Sequence, residues 1–142
     1  FIIASEDALF GQPEAAVGLS AGGGSPVFLP RVLPPGKAMQ MLMTGEPITA
    51  QEAYRLGMVN EVHPRAELMP AVLRIAEKIA ANSPTAVQAV KRAVHMGDGQ
   101  PIEQAVATMM EMHWRSAIHP DRVDGIRAFN EGREPVFQDP DY

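Results

Sequence analysis

Leu9-Phe10-Gly11-Gln12-Pro13-Glu14-Ala15-Ala16-Val17-Gly18-Leu19-Ser20-Ala21-Gly22-Gly23-Gly24-Ser25-Pro26 is the stretch around which the rest of the chain is organised. A short apolar strand leads into a single carboxylate, and glycines then carry the backbone round into a helix. Pro13 restricts the backbone directly ahead of Glu14, and three small apolar residues follow it before Gly18. A carboxylate in such a setting is expected to be partly desolvated, and desolvation disfavours the charged form, the direction useful to a proton-transfer group. Gly22, Gly23 and Gly24 lack Cβ atoms, so a ligand or another backbone can approach closely. Ser25-Pro26 predicts a helix start, with the serine hydroxyl as cap and proline at the first helical position.

These residues also admit a plainer reading. A lone loop glutamate is usually a solvated surface group, and a glycine run is more often a turn than a binding loop. Neither phosphate-loop signature is present. No Lys-Ser/Thr follows the glycines, and no G-x-G-x-x-G opens a strand–turn–helix unit.

Working outward, the chain has 142 residues, of which 46% are hydrophobic, enough for one domain with a core. A net charge of −5 argues against nucleic-acid binding, which needs clustered Lys and Arg. No apolar run approaches the roughly 20 residues that cross a bilayer, so no membrane partner is expected. With no cysteine there are no disulfides and no thiolate chemistry, which suits a cytoplasmic setting. Phe1-Ile2-Ile3-Ala4 reads as the end of a buried strand and lacks the basic start of a signal peptide.

Pro34-Pro35-Gly36 predicts a turn, followed by a helix over Lys37–Met43 with Ala38, Met41 and Leu42 on one face and Gly45 as its stop. Thr49-Ala50-Gln51-Glu52 is a capping box, in which each side chain would reach the other residue's backbone amide. Its helix ends at Gly57, and Met58 to Val62 predicts a strand. From Pro64 onward the pattern is helical. Val72, Ile75, Ala76, Ile79 and Ala80 form one stripe, and Val87, Val90 and Val94 a second. Ile102, Ala105, Val106, Met109 and His113 form a third. In the last helix Asp121 and Asp124 suit the positive first turn, Ile126 and Phe129 are expected to be buried, and Gly132 is the stop. His63, His95, His113 and His119 have no metal-ligand spacing, and no Gly-x-Ser-x-Gly elbow is present.

The block Phe10-Gly11-Gln12-Pro13-Glu14, with Gly18, the glycine cluster and Leu29-Pro30-Arg31, resembles the central segment of the crotonase (enoyl-CoA hydratase/isomerase) family. Thr44-Gly45, Ile48-Thr49-Ala50-Gln51-Glu52-Ala53, Leu56-Gly57-Met58-Val59-Asn60, Ser83-Pro84, Gly125-Ile126-Arg127-Ala128-Phe129 and Arg133-Glu134-Pro135-Val136-Phe137 continue it in order and spacing. The resemblance implies an α/β fold: the C-terminal part of a crotonase-like ββα spiral over residues 1–63, then an α-helical trimerisation region over 64–142. It implies an acyl-CoA substrate, coenzyme A as part of that substrate and no separate cofactor, and a homo-trimer or hexamer. Glu14 matches a family acid/base glutamate and Gly22 a glycine lying against the reacting water. Phe129 matches an aromatic of the acyl or adenine-side wall. A second glutamate and the oxyanion-hole amides would lie before Phe1, so the missing N-terminal half of the same protein is an expected partner, and this chain alone would lack a complete site.

Three departures stand out. Ala21-Gly22-Gly23-Gly24-Ser25 replaces a common Pro-Gly-Ala-Gly-Gly. Pro26-Val27-Phe28 replaces Thr-Gln-Arg, which makes the neighbourhood bulkier and more apolar. Gly132 stands where a lysine often meets coenzyme A phosphates, leaving Arg133 beside it as the substitute. The implied activity is hydration of an enoyl-CoA, with isomerisation, or a non-catalytic acyl-CoA-binding or oligomerisation role, as alternatives.

Overall fold

Leu9 and Phe10 find their partner in Ile48 and the capping residue Thr49. In the computed structural model, which describes residues 1–138, β2 (Leu9–Phe10) runs antiparallel to β3 (Ile48–Thr49), with Phe10 opposite Ile48. A second two-stranded sheet pairs β1 (Ile3–Ser5) in parallel with β4 (Glu61–His63). Asn60 clamps its edge. Its Oδ1 accepts from the Ile2 amide at 2.9 Å, and its own amide donates to the Ile2 carbonyl at 2.8 Å.

Between these strands lie a 3-10 turn (Pro13–Val17), α1 (Ser25–Val32), α2 (Pro35–Thr44) and α3 (Ala50–Arg55). Leu29, Leu33, Ala38, Met41, Ile48 and Val59 are buried together and form the centre of the core, with Phe10, Leu42 and Val62 packed around them. The chain divides into two compact units, Phe1–Arg74 and Ile75 onward, and the division runs through α4 (Leu68–Ala80). The second unit continues with α5 (Pro84–Gly97), α6 (Ile102–Ala117) and α7 (Pro120–Glu131). Among the described residues, no helix is long and apolar enough to cross a membrane.

Several local expectations are corrected. Ser25 does not cap α1; Gly24 occupies the cap position at φ 95°, a left-handed conformation that glycine adopts without Cβ strain. The Pro34-Pro35-Gly36 turn is already helical from Pro35, because proline at the first position loses no hydrogen bond there. The capping box is half formed. Thr49 Oγ accepts from the Glu52 amide at 3.2 Å, but the Glu52 carboxylate turns away to a two-pronged pair with Arg55 at 2.7 Å. The strand expected over Met58–Val62 begins only at Glu61, since the Met58 and Val59 amides both donate to the Ala53 carbonyl and close a turn.

The second unit departs from three predicted faces. On α5 Ala89 is buried and Ala86, Val87 and Ala93 are half-buried, so Val87 of the expected stripe is covered, but Val90 and Val94 stand 65% and 66% exposed. On α6 the covered face is Ala105, Thr108, Met112 and Ser116, while Ile102, Val106 and Met109 face outward. Near the connection of α5 and α6 the facing residues are small: a Cβ built on Gly97 would make ordinary contact with the Ala105 Cβ at 3.6 Å. On α7 the buried residues are Asp121 and Ala128, and Ile126 and Phe129 are exposed, Phe129 by 88%. The stripe of α4 is likewise only part covered: Val72 and Ile75 are half-buried, but Ala76, Ile79 and Ala80 are exposed.

Candidate active site

Glu14 is the second residue of the 3-10 turn, and the turn is fixed at both ends. Upstream, Gly11 follows β2 with its backbone against Pro47, where an added Cβ would fall 3.1 Å from the Pro47 Cβ. Downstream, Gly18 at φ 79° closes the turn, its amide donating to the Ala15 carbonyl and the Leu19 amide to the Glu14 carbonyl at 3.0 Å. Beneath, Gly45 ends α2 at φ 73°, and a Cβ there would meet the Pro13 Cα at 3.3 Å. Gly11 and Gly45 thus let other backbone come against the turn that carries the carboxylate, and Gly18 closes it through its left-handed conformation. The sequence shows Gly45 only as a helix stop; its packing role depends on a contact across 32 residues that no local pattern announces.

The Glu14 side chain is half-buried, and its Oε2 is shielded from solvent with no hydrogen-bond partner among the described residues. Buried polar atoms in native proteins are nearly always paired, so an unpaired one calls for an explanation. The expectation of partial desolvation is met in geometry.

The glycine cluster is open. Around Gly23 no heavy atom lies within 4 Å of an added Cβ, and around Gly22 only the Ser20 carbonyl oxygen does, at 3.9 Å. Nothing in this chain requires glycine at position 22 for space. Gly24 differs, since its Cβ would lie 2.9 Å from the Phe28 ring, which folds back over the turn from α1. Val27 and Phe28 are both exposed, so the replacement noted in the sequence does set an apolar surface on the first turn of α1.

Phe129 and Arg133 belong to the second unit. Arg133 is no free cation: its Nη2 donates to Asp124 Oδ1 at 2.6 Å and its Nε to Glu131 Oε2 at 2.7 Å. These two carboxylates raise the affinity of the guanidinium for its proton, and Arg133 in turn, aided by the Val136 amide, holds the Asp124 carboxyl at about 2. An incoming phosphate would have to compete with both acids. The residue that sequence reasoning missed is Asp121. It has the pattern of an ordinary helix-starting acid, yet it is 3% exposed and joins three segments of the second unit.

Comparison with known proteins follows the same lines. The sequence profile of enoyl-CoA hydratase/isomerase matches residues 1–140. A carnitinyl-CoA dehydratase of Salmonella paratyphi B is 34% identical over 142 residues, covering 97% of this chain and 54% of that protein. A crystal structure of an enoyl-CoA hydratase from Mycobacterium marinum superposes with a TM-score of 0.92 at 36% identity, over 97% of this chain and 57% of that one. One from Bacillus anthracis gives 0.93 at 34% identity, over 96% and 53%. The chain spans about half the length of the curated relatives it matches. The neighbours have the crotonase fold, and the chain belongs to the enoyl-CoA hydratase/isomerase family.

Proposed function

We propose that Glu14 is the acid/base residue of an acyl-CoA hydro-lyase, which adds water across the double bond of a 2-enoyl-CoA or removes it again. The observation that carries this is the shielded, unpartnered Oε2 of Glu14 on a turn braced by Gly11, Gly18 and Gly45. In the hydration direction the water oxygen bonds to the β-carbon, the electron pair moves into an enolate-like thioester, and a proton is delivered to the α-carbon. A positioned carboxylate takes the proton from water or returns one, and contributes about 10²–10⁴ in rate. The open backbone at Gly22 gives room for the reacting water. Amide donors aimed at the thioester oxygen would stabilise the developing charge; these, with any second glutamate, are assigned to the rest of the whole protein. Coenzyme A enters as part of the substrate. Phe129 and Arg133 are retained as substrate contacts, Arg133 only by exchange with Asp124 and Glu131.

Replacing Glu14 by Gln in the whole-length protein keeps the shape and removes the proton. Turnover of a 2-enoyl-CoA is expected to fall by about 10²–10⁴, with KM little changed. Turnover within about threefold of wild type would overturn the assignment. Isomerase activity on a 3-enoyl-CoA, lost in the same variant, would instead place Glu14 in the isomerase branch.

A second reading is favoured by the second unit, whose outward faces carry Val90, Val94, Ile102, Val106, Met109 and Trp114. Such a surface suits self-association into a trimer or hexamer. Trimer formation without acyl-CoA binding would favour a structural role for the chain.

A further inference from the structure

We propose that Glu134–Gln138 is a releasable strap, latched to α7 by Asp121 and Asp124 and able to lift as one piece while helices α5 to α7 stay folded. The latch is made of carboxylates one helical turn apart. Asp124 Oδ2 accepts from the Val136 amide at 2.8 Å, and Asp121 Oδ1 accepts from the Gln138 amide at 2.9 Å. Alternate amides of one segment are therefore gripped by successive acids of one helix. Between them Phe137 lays its ring against Gly125, where an added Cβ would be 3.5 Å from the ring edge. Pro135 has no amide to satisfy.

Release is favoured by what each acid keeps. When the strap lifts, Asp121 still accepts from Ser83 Oγ at 2.5 Å, and Asp124 still accepts from Arg133 Nη2 at 2.6 Å. Neither carboxylate is left uncompensated, which is the condition that ordinarily makes such a bond costly to break. The hinge is also present: Gly132 at φ 67° ends α7, and Arg133, pinned by Asp124 and Glu131, anchors the near end of the strap. Glu134, Val136 and Gln138 are exposed, so among the described residues opening is resisted by the half-buried Pro135 and Phe137 and the two latched amides, while the bond from Arg133 Nη1 to the Glu134 carbonyl stays at the hinge. Beside the strap lies a groove of about 580 Å³ lined by Ile118, Val123, Arg127, Val136 and Gln138, whose cover changes when it lifts. Local opening of few contacts, at a free energy well below that of global unfolding, is the expected behaviour of such a segment.

Amide hydrogen exchange of the full chain, followed residue by residue, tests this. In the wild type the Val136 and Gln138 amides should be protected at least about tenfold over an open chain, yet exchange at least about a hundredfold faster than the central amides of α5 and α6. Asp124→Ala should remove protection at Gln138 as well as at Val136, since the strap lifts as a unit, and leave α5 and α6 unchanged. Phe137→Ala, which takes the ring away from Gly125 and leaves both carboxylates in the chain, should do the same and serves if Asp124→Ala fails to fold. Unprotected strap amides in the wild type would overturn the proposal. So would retained Gln138 protection in both variants, or parallel loss throughout α5 and α6.

Discussion

Ser83 donates its hydroxyl to Asp121 Oδ2 at 2.5 Å, and its own Oγ accepts from the Ala86 amide at 3.3 Å. One side chain therefore caps α5 and binds the first turn of α7. Both partners are nearly fully buried, Ser83 at 8% and Asp121 at 3% exposure.

Ser83→Ala should accordingly be among the more damaging single-atom changes in the second unit. It removes a helix cap and leaves a buried acceptor short of a donor, costing about 2–4 kcal/mol. Chemical unfolding followed by circular dichroism measures it. A loss below about 0.5 kcal/mol would mean that water replaces the hydroxyl.

Asp124 sets how the end of α7 responds to acid. Its carboxyl is depressed from 3.8 to about 2, first by the Arg133 hydrogen bond and then by the Val136 amide. A depressed carboxylate contributes its stabilisation fully above its unfolded value, and loses it as the pH falls through the folded one. The Arg133 pair and the Val136 contact should thus be intact from neutral pH down to about 4 and fail only as pH approaches 2. Carboxyl chemical shifts of Asp124 across that range report it, and a midpoint near 4 would show that the ion pair does not persist in solution.

Gly45 and Gly57 separate backbone strain from packing. Both have positive φ, 73° and 82°, so alanine at either costs about 1 kcal/mol in backbone strain. Only at Gly45 does the new Cβ meet backbone, the Pro13 Cα at 3.3 Å; at Gly57 nothing lies within 4 Å. Gly45→Ala should therefore also lower turnover in the whole-length protein by displacing the Glu14 turn, while Gly57→Ala should lower stability alone. Equal turnover in the two variants would disconnect Gly45 from the site.

Gly125 offers the opposite case. It lies inside α7, and its added Cβ would make ordinary contact with Phe137 at 3.5 Å. Gly125→Ala should stabilise the unit by about 0.5–1 kcal/mol through reduced backbone entropy in the unfolded chain. A lower midpoint of thermal unfolding would show that the ring needs the bare backbone.

Local chemistry was legible in the residues themselves. Thr49 could be recognised as a cap, Gly45 and Gly132 as stops, and Glu14 as a carboxylate held on a turn, because each depends on neighbours within four positions. The order of the helices followed from the same signals, but β3 and the 3-10 turn that carries Glu14 did not. Tertiary structure alone decided which side of each late helix turns inward. Periodicity ranks faces by apolarity, whereas the covered residues of α5 and α6 include the small Ala89, Ala93 and Ala105, with the larger Val90, Val94 and Val106 left outside. Glu52 pairs with Arg55 and not with its cap through a competing local contact three residues on, whereas the burial of Asp121 was decided by tertiary structure. A helix-starting acid has the same local pattern whether it meets water or Ser83, 38 residues away, and only the folded chain brings that hydroxyl to it.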